Sequence, residues 1–223
     1  MTGTLKTTLI QNPSSADVNI TLGTAGEVTL AKSPVLNGST SGTLTLAAPA
    51  VAGTNTQTLV AATGTLAPLI SGTAQASTSG TSIDFTSIPS WVKRITVMFN
   101  GVSLSGTSSI LIQLGDSGGF ENTGYVSTSV LSRDGTTPTG LTSTAGFVVV
   151  TAIAANTLLG TAVLTLVSGN TWVLSSAYAM SGSTHAGTAG GNKTLSDTLD
   201  RVRITTVNGT DTFDAGSINI LYE

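Results

Sequence analysis

Apolar and polar positions alternate in two distinct styles along this chain. From Ser82 onward, short runs carry the period-two pattern of half-buried strands, with Val, Ile, Leu and aromatics on alternate positions. Arg94-Ile95-Thr96-Val97-Met98-Phe99 and Val163-Leu164-Thr165-Leu166-Val167 are the strongest of these runs. The pattern predicts strands near residues 81–88, 92–100, 108–114, 124–131, 145–153, 159–167, 171–179, 199–207 and 216–222. Turn clusters separate them: Asn100-Gly101, Asp134-Gly135, Ser168-Gly169-Asn170 and Asn208-Gly209. No segment carries the 3.6-residue period of an amphipathic helix. Short strands at near-regular spacing with Gly-rich turns predict an all-β protein built as an antiparallel β-sandwich, jelly-roll-like in its connections.

The first third follows a looser rule. Val28-Thr29-Leu30-Ala31, leading into Pro34-Val35-Leu36, is echoed by Leu44-Thr45-Leu46-Ala47-Ala48-Pro49 and by Thr58-Leu59-Val60-Ala61-Ala62. Each run ends in Gly, Asn, Ser or Pro. The spacing drifts too much for a strict solenoid. All ten aromatic residues lie at or beyond Phe85, and large rings supply much of a core's buried area. Residues 1–76 are therefore expected to form an extended β-stalk or arm, its small aliphatic side chains meeting those of identical chains on a common axis. Its strands, left alone, would present unpaired edges. A homotrimeric stalk or interlocked collar answers both conditions; a flexible linker is the alternative, against which the recurring Leu and Val positions stand. Residues 71–80, Ser-Gly-Thr-Ala-Gln-Ala-Ser-Thr-Ser-Gly, read as a hinge, and residues 77–223 as a self-contained sandwich head.

Composition narrows the function. Charged residues make up 9% of the chain, against about 25% in an average domain, while hydrophobics reach 39%. Such a chain keeps its surface wet with Ser and Thr hydroxyls. Eight Lys and Arg against a net charge of −3 leave too few cations for a phosphate-backbone binder. The absence of cysteine removes disulfides and thiolate metal sites. The N-terminal residues lack a signal-peptide layout, and no apolar run reaches the length of a membrane span. The expectation is synthesis in the cytoplasm without export or membrane insertion. Neither nucleic acid nor a cofactor is expected as a partner.

Candidate chemistry concentrates in Asp116-Ser117-Gly118-Gly119-Phe120-Glu121-Asn122-Thr123-Gly124-Tyr125. Two carboxylates, an amide and a phenol lie in a Gly-rich segment, where backbone can approach a ligand. Asp116, Glu121, Asn122 and Tyr125 are the candidate contacts for a surface glycan. A calcium loop is the competing reading, although the ordered Asp-x-Asp spacing is missing. The third is a structural turn. A glycosidase would need Asp116 and Glu121 facing each other across a sugar, one with a raised pKa. Asp200 beside Arg201 reads as a solvated charge pair. His185, the lone histidine, sits in the Gly-rich stretch 181–191 and reads as an exposed loop residue. Trp91 and Trp172 are either core residues or sugar-stacking platforms. No catalytic or metal site is expected.

The run Ile83-Asp84-Phe85-Thr86-Ser87-Ile88-Pro89-Ser90-Trp91-Val92-Lys93-Arg94-Ile95-Thr96-Val97 resembles bacteriophage tail proteins. The likeness continues through Gln113-Leu114-Gly115-Asp116-Ser117-Gly118-Gly119, and resumes over 199–206 and 217–223. The run at residues 42–51 is similar to stalk segments of phage tail fibres. The resemblance implies a virion-located fibre or receptor-binding protein, homotrimeric and non-enzymatic. Its arm would attach to other virion proteins of the baseplate, tail or capsid. Its head would contact a host cell-surface glycan or protein. A capsid decoration or head-fibre protein, clamping capsomers with the same arm, is the alternative.

Overall fold

The computed structural model describes residues 67–150, 154, 156–182 and 184–223, together with five short strands within residues 1–64. The chain divides into two compact units, residues 1–64 and 65–223. In the first, β1 (Leu9–Gln11), β2 (Val18–Leu22) and β3 (Val28–Leu30) form an antiparallel sheet in that order. Strands β4 (Val35–Asn37) and β5 (Thr43–Thr45) pair as a separate antiparallel ladder, Leu36 opposite Leu44. The first two repeat runs of the sequence thus contain strands. The third, at Thr58–Ala62, lies outside the described residues.

The second unit is all-β, and among its described residues there is no helix. In chain order its strands are β6 (Ile70–Ser71), β7 (Gln75–Ala76), β8 (Ser82–Phe85), β9 (Arg94–Leu104) and β10 (Ile110–Asp116). Then come β11 (Gly119–Phe120), β12 (Val126–Ser132), β13 (Thr139–Ser143), β14 (Phe147–Val149) and β15 (Leu158–Ser168). The last four are β16 (Thr171–Met180), β17 (His185–Thr194), β18 (Arg201–Thr206) and β19 (Phe213–Tyr222). They make a sandwich-like pair of open antiparallel sheets. The large sheet runs β13-β12-β17-β16-β15-β9-β19-β6, with β7 also on β19. The small one runs β11-β10-β18-β8, with β14 on the free side of β10.

Alternation sorts the side chains as the sequence pattern requires. Ile95, Val97 and Phe99 of β9, Leu164 of β15, and Trp172 and Leu174 of β16 point inward and are buried. Strand β10 lies inside its sheet and is buried along its whole length, apolar over Ile110–Ile112 and at Leu114, with Gln113 and Asp116 as buried polar members. Full burial of each large side chain contributes about 1.5–3 kcal/mol.

Four features depart from the sequence reading. Residues 70–76, assigned to the arm and hinge, belong to the compact unit as β6 and β7 on β19. The buried Ser77 fastens this edge, its amide donating to Gly216 O (3.0 Å) and its hydroxyl to Ala215 O (2.8 Å). Asn100-Gly101 makes no turn; both residues lie inside β9, at a bulge where the β9–β19 register shifts. Gly101 there has φ +67°, and a Cβ on Gly216 would lie 2.3 Å from its carbonyl oxygen. Strand β13 pairs along the edge of β12 where no strand was expected.

The largest departure is the Gly-rich stretch at 185–194. It is β17, an interior strand of the large sheet with β12 on one side and β16 on the other. His185 begins it opposite Met180 and is half-buried, so it is not an exposed loop residue. The glycines make room for rings: a Cβ on Gly187 would fall 2.3 Å from Tyr178 Cζ, and one on Gly191 would fall 3.1 Å from Phe147 Cδ1. A residue without a side chain weakens a strand on its own. Here the aromatic side chains of neighbouring strands supply the missing packing.

Strand β12 inverts the usual patterning. Its inward positions are Ser127 and Ser129, both buried, followed by Leu131; its outward positions include Val126 and Val130. The serines face inward because they satisfy backbone donors beneath them. Val148 N donates to Ser127 Oγ (2.9 Å) and Val150 N to Ser129 Oγ (3.3 Å). The Ser129 hydroxyl also bonds Thr188 O and the Tyr178 phenol. A buried amide left unpaired would cost about 1–3 kcal/mol.

Candidate functional site

The Asp116–Tyr125 segment leaves β10, turns tightly and returns to β12. Its first part is a two-residue hairpin in which Asp116 pairs with Gly119 and Gly115 with Phe120. Asp116 closes the turn by accepting a hydrogen bond from Gly118 N (2.8 Å) on Oδ1, a side-chain mimic of a backbone turn. Its other oxygen accepts from Ser196 Oγ (2.7 Å) and Asp197 N (2.9 Å). Asp116 is therefore buried, with both oxygens occupied. The Ser196 hydroxyl, followed by the Gly118 and Asp197 amides, holds its carboxyl below the usual aspartate value, against the opposing effect of desolvation.

Glu121 works on the same anchor. Its Oε1 accepts from Ser196 N (2.7 Å), and its Oε2 forms an ion pair with Lys193. Desolvation raises the Glu121 pKa, but the Lys193 and Ser196 bonds outweigh it and the net direction is downward. Lys193 projects from β17 into the interior beside Trp172, its side chain only 6% exposed. Its ammonium also donates to Thr123 O (2.9 Å) and lies 5.2 Å from the centre of the Tyr125 ring.

Tyr125 is 1% exposed. Its phenol accepts from Leu114 N (2.7 Å), donates to Glu121 O (3.0 Å), and its ring meets Phe147 edge-on at 5.1 Å. Burial pushes the phenol far above its ordinary pKa, so it stays protonated as a donor. Of the four residues singled out from sequence, Asp116, Glu121 and Tyr125 are brought together as the inner scaffold of the loop. Asn122, with Thr123 and Gly124, forms its exposed tip. The polar groups of the first three are committed to the protein's own atoms, which leaves the tip as the accessible part.

Lys193 is the member that sequence reasoning missed. Its one available signal is isolation: no other Lys or Arg lies between Arg133 and Arg201. Isolation alone does not mark it as internal, since a lone Lys in a strand ordinarily faces solvent. On the flank of the loop, Arg203 holds Asp84 through two 2.7 Å bonds and stacks 4.1 Å from the Phe120 ring centre. Asp200 and Arg201 pair with each other, as the sequence suggested.

Two concavities accompany these elements. Beside the loop tip, a cleft of about 340 Å³ is lined by Tyr125–Thr128 and Thr142–Thr144, its exposed lining more apolar than polar. At the other sheet edge, a groove of about 250 Å³ runs past Gln75, Asp84, Ser87 and Tyr222. Trp91, 38% exposed, tilts against Tyr222 with ring centres 6.0 Å apart, whereas Trp172 is a core residue. Among the described residues, no group of three or more His, Asp or Glu side chains is arranged to hold a metal ion.

The carboxylate bonding makes stability depend on pH with a definite sign. Asp116 and Glu121 have folded pKa values depressed below their ordinary 3.8 and 4.5. Their contribution is complete above about pH 4.5–5 and disappears as the pH falls through the folded values, because the unfolded chain takes up protons first. The expected result is a melting temperature that drops as the buffer is taken from pH 5 toward pH 3, with a shallower drop in the Asp116→Asn variant. Parallel profiles for the two proteins would show that Asp116 is not a linked group.

No protein-family model matches the chain, and neither does any characterised protein or solved structure.

Proposed function

We propose that this chain is a non-enzymatic phage structural protein, a short tail fibre or receptor-binding protein. In this reading, residues 1–64 fasten it to the virion. The C-terminal unit is a jelly-roll-like head within a homotrimer, and it contacts a glycan or protein on the host surface. One observation carries the proposal: the chain splits into two compact units, the second a sandwich-like pair of sheets with a deep core. Such a division suits an attachment segment joined to an adhesive head.

The loop chemistry supports adhesion over hydrolysis. A glycosidase acid needs a raised pKa, and Asp116 and Glu121 are both held low on a shared Ser196. The exposed Asn122–Gly124 tip and the uncharged cleft next to it offer a neutral contact surface. Each head would bind weakly, and several heads on one particle would raise avidity through effective concentration.

Immunogold labelling of this protein on intact virions tests the proposal. Gold confined to the tail is the expected result. Gold spread over the capsid would transfer the protein to the decoration role, and unlabelled virions would end both.

A further inference from the structure

The sandwich keeps nearly all of its aromatic surface inside, and the exception lies at one place. Seven of the ten aromatic residues are buried, and Phe120 is covered by the Arg203 guanidinium, 4.1 Å from its ring centre. The other two, Trp91 and Tyr222, lean on each other with ring centres 6.0 Å apart. Trp91 is the only exposed aromatic among the described residues. Tyr222 also lines the groove of about 250 Å³, which opens where the edges of the two sheets part, β6 and β7 on one side and β8 on the other.

The polar members of this groove are held in place by the protein itself. Arg203 grips the Asp84 carboxylate through two 2.7 Å bonds. The Gln75 carboxamide donates to Asp84 O at 2.7 Å, which ties the two sheet edges together and fixes the carboxamide plane. Ser87, also in the lining, is the only residue other than glycine among those described to have a positive φ, +62°. The turn it makes sends Ile88 back into the core, with Ile88 N bonded to Asp200 O (2.8 Å), and leaves Ser87 exposed. Backbone held in such a region clusters at ligand sites, where the surrounding structure over-determines it.

We infer that this groove binds one ring of a neutral sugar, with the Trp91–Tyr222 pair as its stacking surface. A pyranose asks two things of a site: an apolar platform for its C–H face, and fixed polar groups for its hydroxyls. Trp and Tyr supply the first, each with an apolar body and a polar tip. Asp84, Gln75 and Ser87 supply the second, as the few convergent polar groups that orient a ligand. The groove is smaller than the roughly 300–1,000 Å³ of sites for drug-sized ligands, which suits a single ring with the rest of a glycan running out over Trp91. No Lys or Arg is among its lining residues, so an acidic sugar would find no counter-charge there. The inference deepens the adhesive part of the proposed function and rests on that reading for its choice of a surface glycan. The loop tip at Asn122–Gly124 is not required.

Tryptophan emission reads this site directly, because the other tryptophan, Trp172, is buried. The full-length protein is titrated with glucose, galactose, mannose and N-acetylglucosamine, and with glucuronate as the acidic comparison. At least one neutral sugar is expected to shift the emission saturably with a Kd on the order of 1 mM, as befits a small ligand with few contacts. Glucuronate should bind more weakly than that sugar. Trp91→Phe should abolish the shift. Gln75→Ala should weaken binding about three- to tenfold, the loss of one neutral hydrogen bond. Thr86→Arg, at an exposed position of the lining, should block the groove without touching the core. Unchanged melting temperatures confirm that the variants fold. The absence of a saturable shift with every neutral sugar would overturn the inference. So would a shift that survives Trp91→Phe or Thr86→Arg, or tighter binding of glucuronate. Equal acrylamide quenching of the parent and Trp91→Phe would also overturn it, by showing that the protein itself covers the ring pair. Gold on tails without a sugar response would strike the groove and leave the fibre reading. A sugar response in a protein absent from virions would leave the groove and remove the fibre.

Discussion

Gly191→Ala is expected to destabilise the C-terminal unit by about 3 kcal/mol, the upper range for overpacking a closely fitted site. A Cβ at this position would sit 2.2 Å from Val126 O and 2.9 Å from Ser127 Cα. Both are backbone atoms of β12, which is itself paired to β17 over seven positions from Val126 to Ser132. Neither can retreat without opening that ladder, and the Phe147 ring closes the inner side at 3.1 Å. Replacing glycine by alanine at a compatible site normally stabilises by about 0.4–1 kcal/mol through the unfolded state. The neighbouring residue provides that control, because a Cβ on Gly190 meets nothing nearer than Leu174 O at 3.7 Å. Urea denaturation of both variants checks the prediction. The Gly191→Ala midpoint should fall well below the parent's while that of Gly190→Ala stays level or rises. Coincident midpoints for the two variants would show that β12 is not held against β17 as described.

Glu121→Gln has a comparable expected cost, about 3 kcal/mol, at the low end for removing one partner of a buried ion pair. The glutamine can still accept from Ser196 N. What changes is the charge opposite Lys193, whose side chain is 6% exposed and retains only Thr123 O and the Tyr125 ring. The low end is appropriate because the Glu121 side chain is itself 22% exposed. Adding Lys193→Met to this variant should recover much of the loss, since it removes the buried ammonium left without its counter-charge while the glutamine keeps its bond from Ser196 N. A double-mutant cycle measures the coupling. If Glu121→Gln alone melts with the parent, the ion pair contributes nothing, and Tyr125 with Asp116 holds the loop unaided.

These two sites mark the boundary of what could be read in advance. Polarity and spacing made Asp116, Glu121 and Tyr125 visible as a group. Their orientation was not visible, because it depends on Ser196 and Lys193, some 70–80 residues further along the chain. A carboxylate in a Gly-rich loop looks the same in sequence whether it faces a ligand or a distant backbone amide. Glycine likewise has two meanings. In Gly118 it serves a tight turn, where it was expected; in Gly187 and Gly191 it clears space for Tyr178 and Phe147.

The alternation of apolar residues by itself determined that the chain from Ser82 onward is antiparallel β, because period-two patterning has one favourable way to bury a face. The run Arg94–Phe99, read from sequence as a strand, places Ile95, Val97 and Phe99 on one face, and all three are buried. Only the tertiary structure decided that the glycine run at 185–194 is an interior strand, that Asn100-Gly101 is a bulge, and that β12 turns its serines in and its valines out. In each case the deciding partner is remote in sequence. A ring, a register shift or an unpaired amide on another strand offsets the local preference that the residue's own neighbours express.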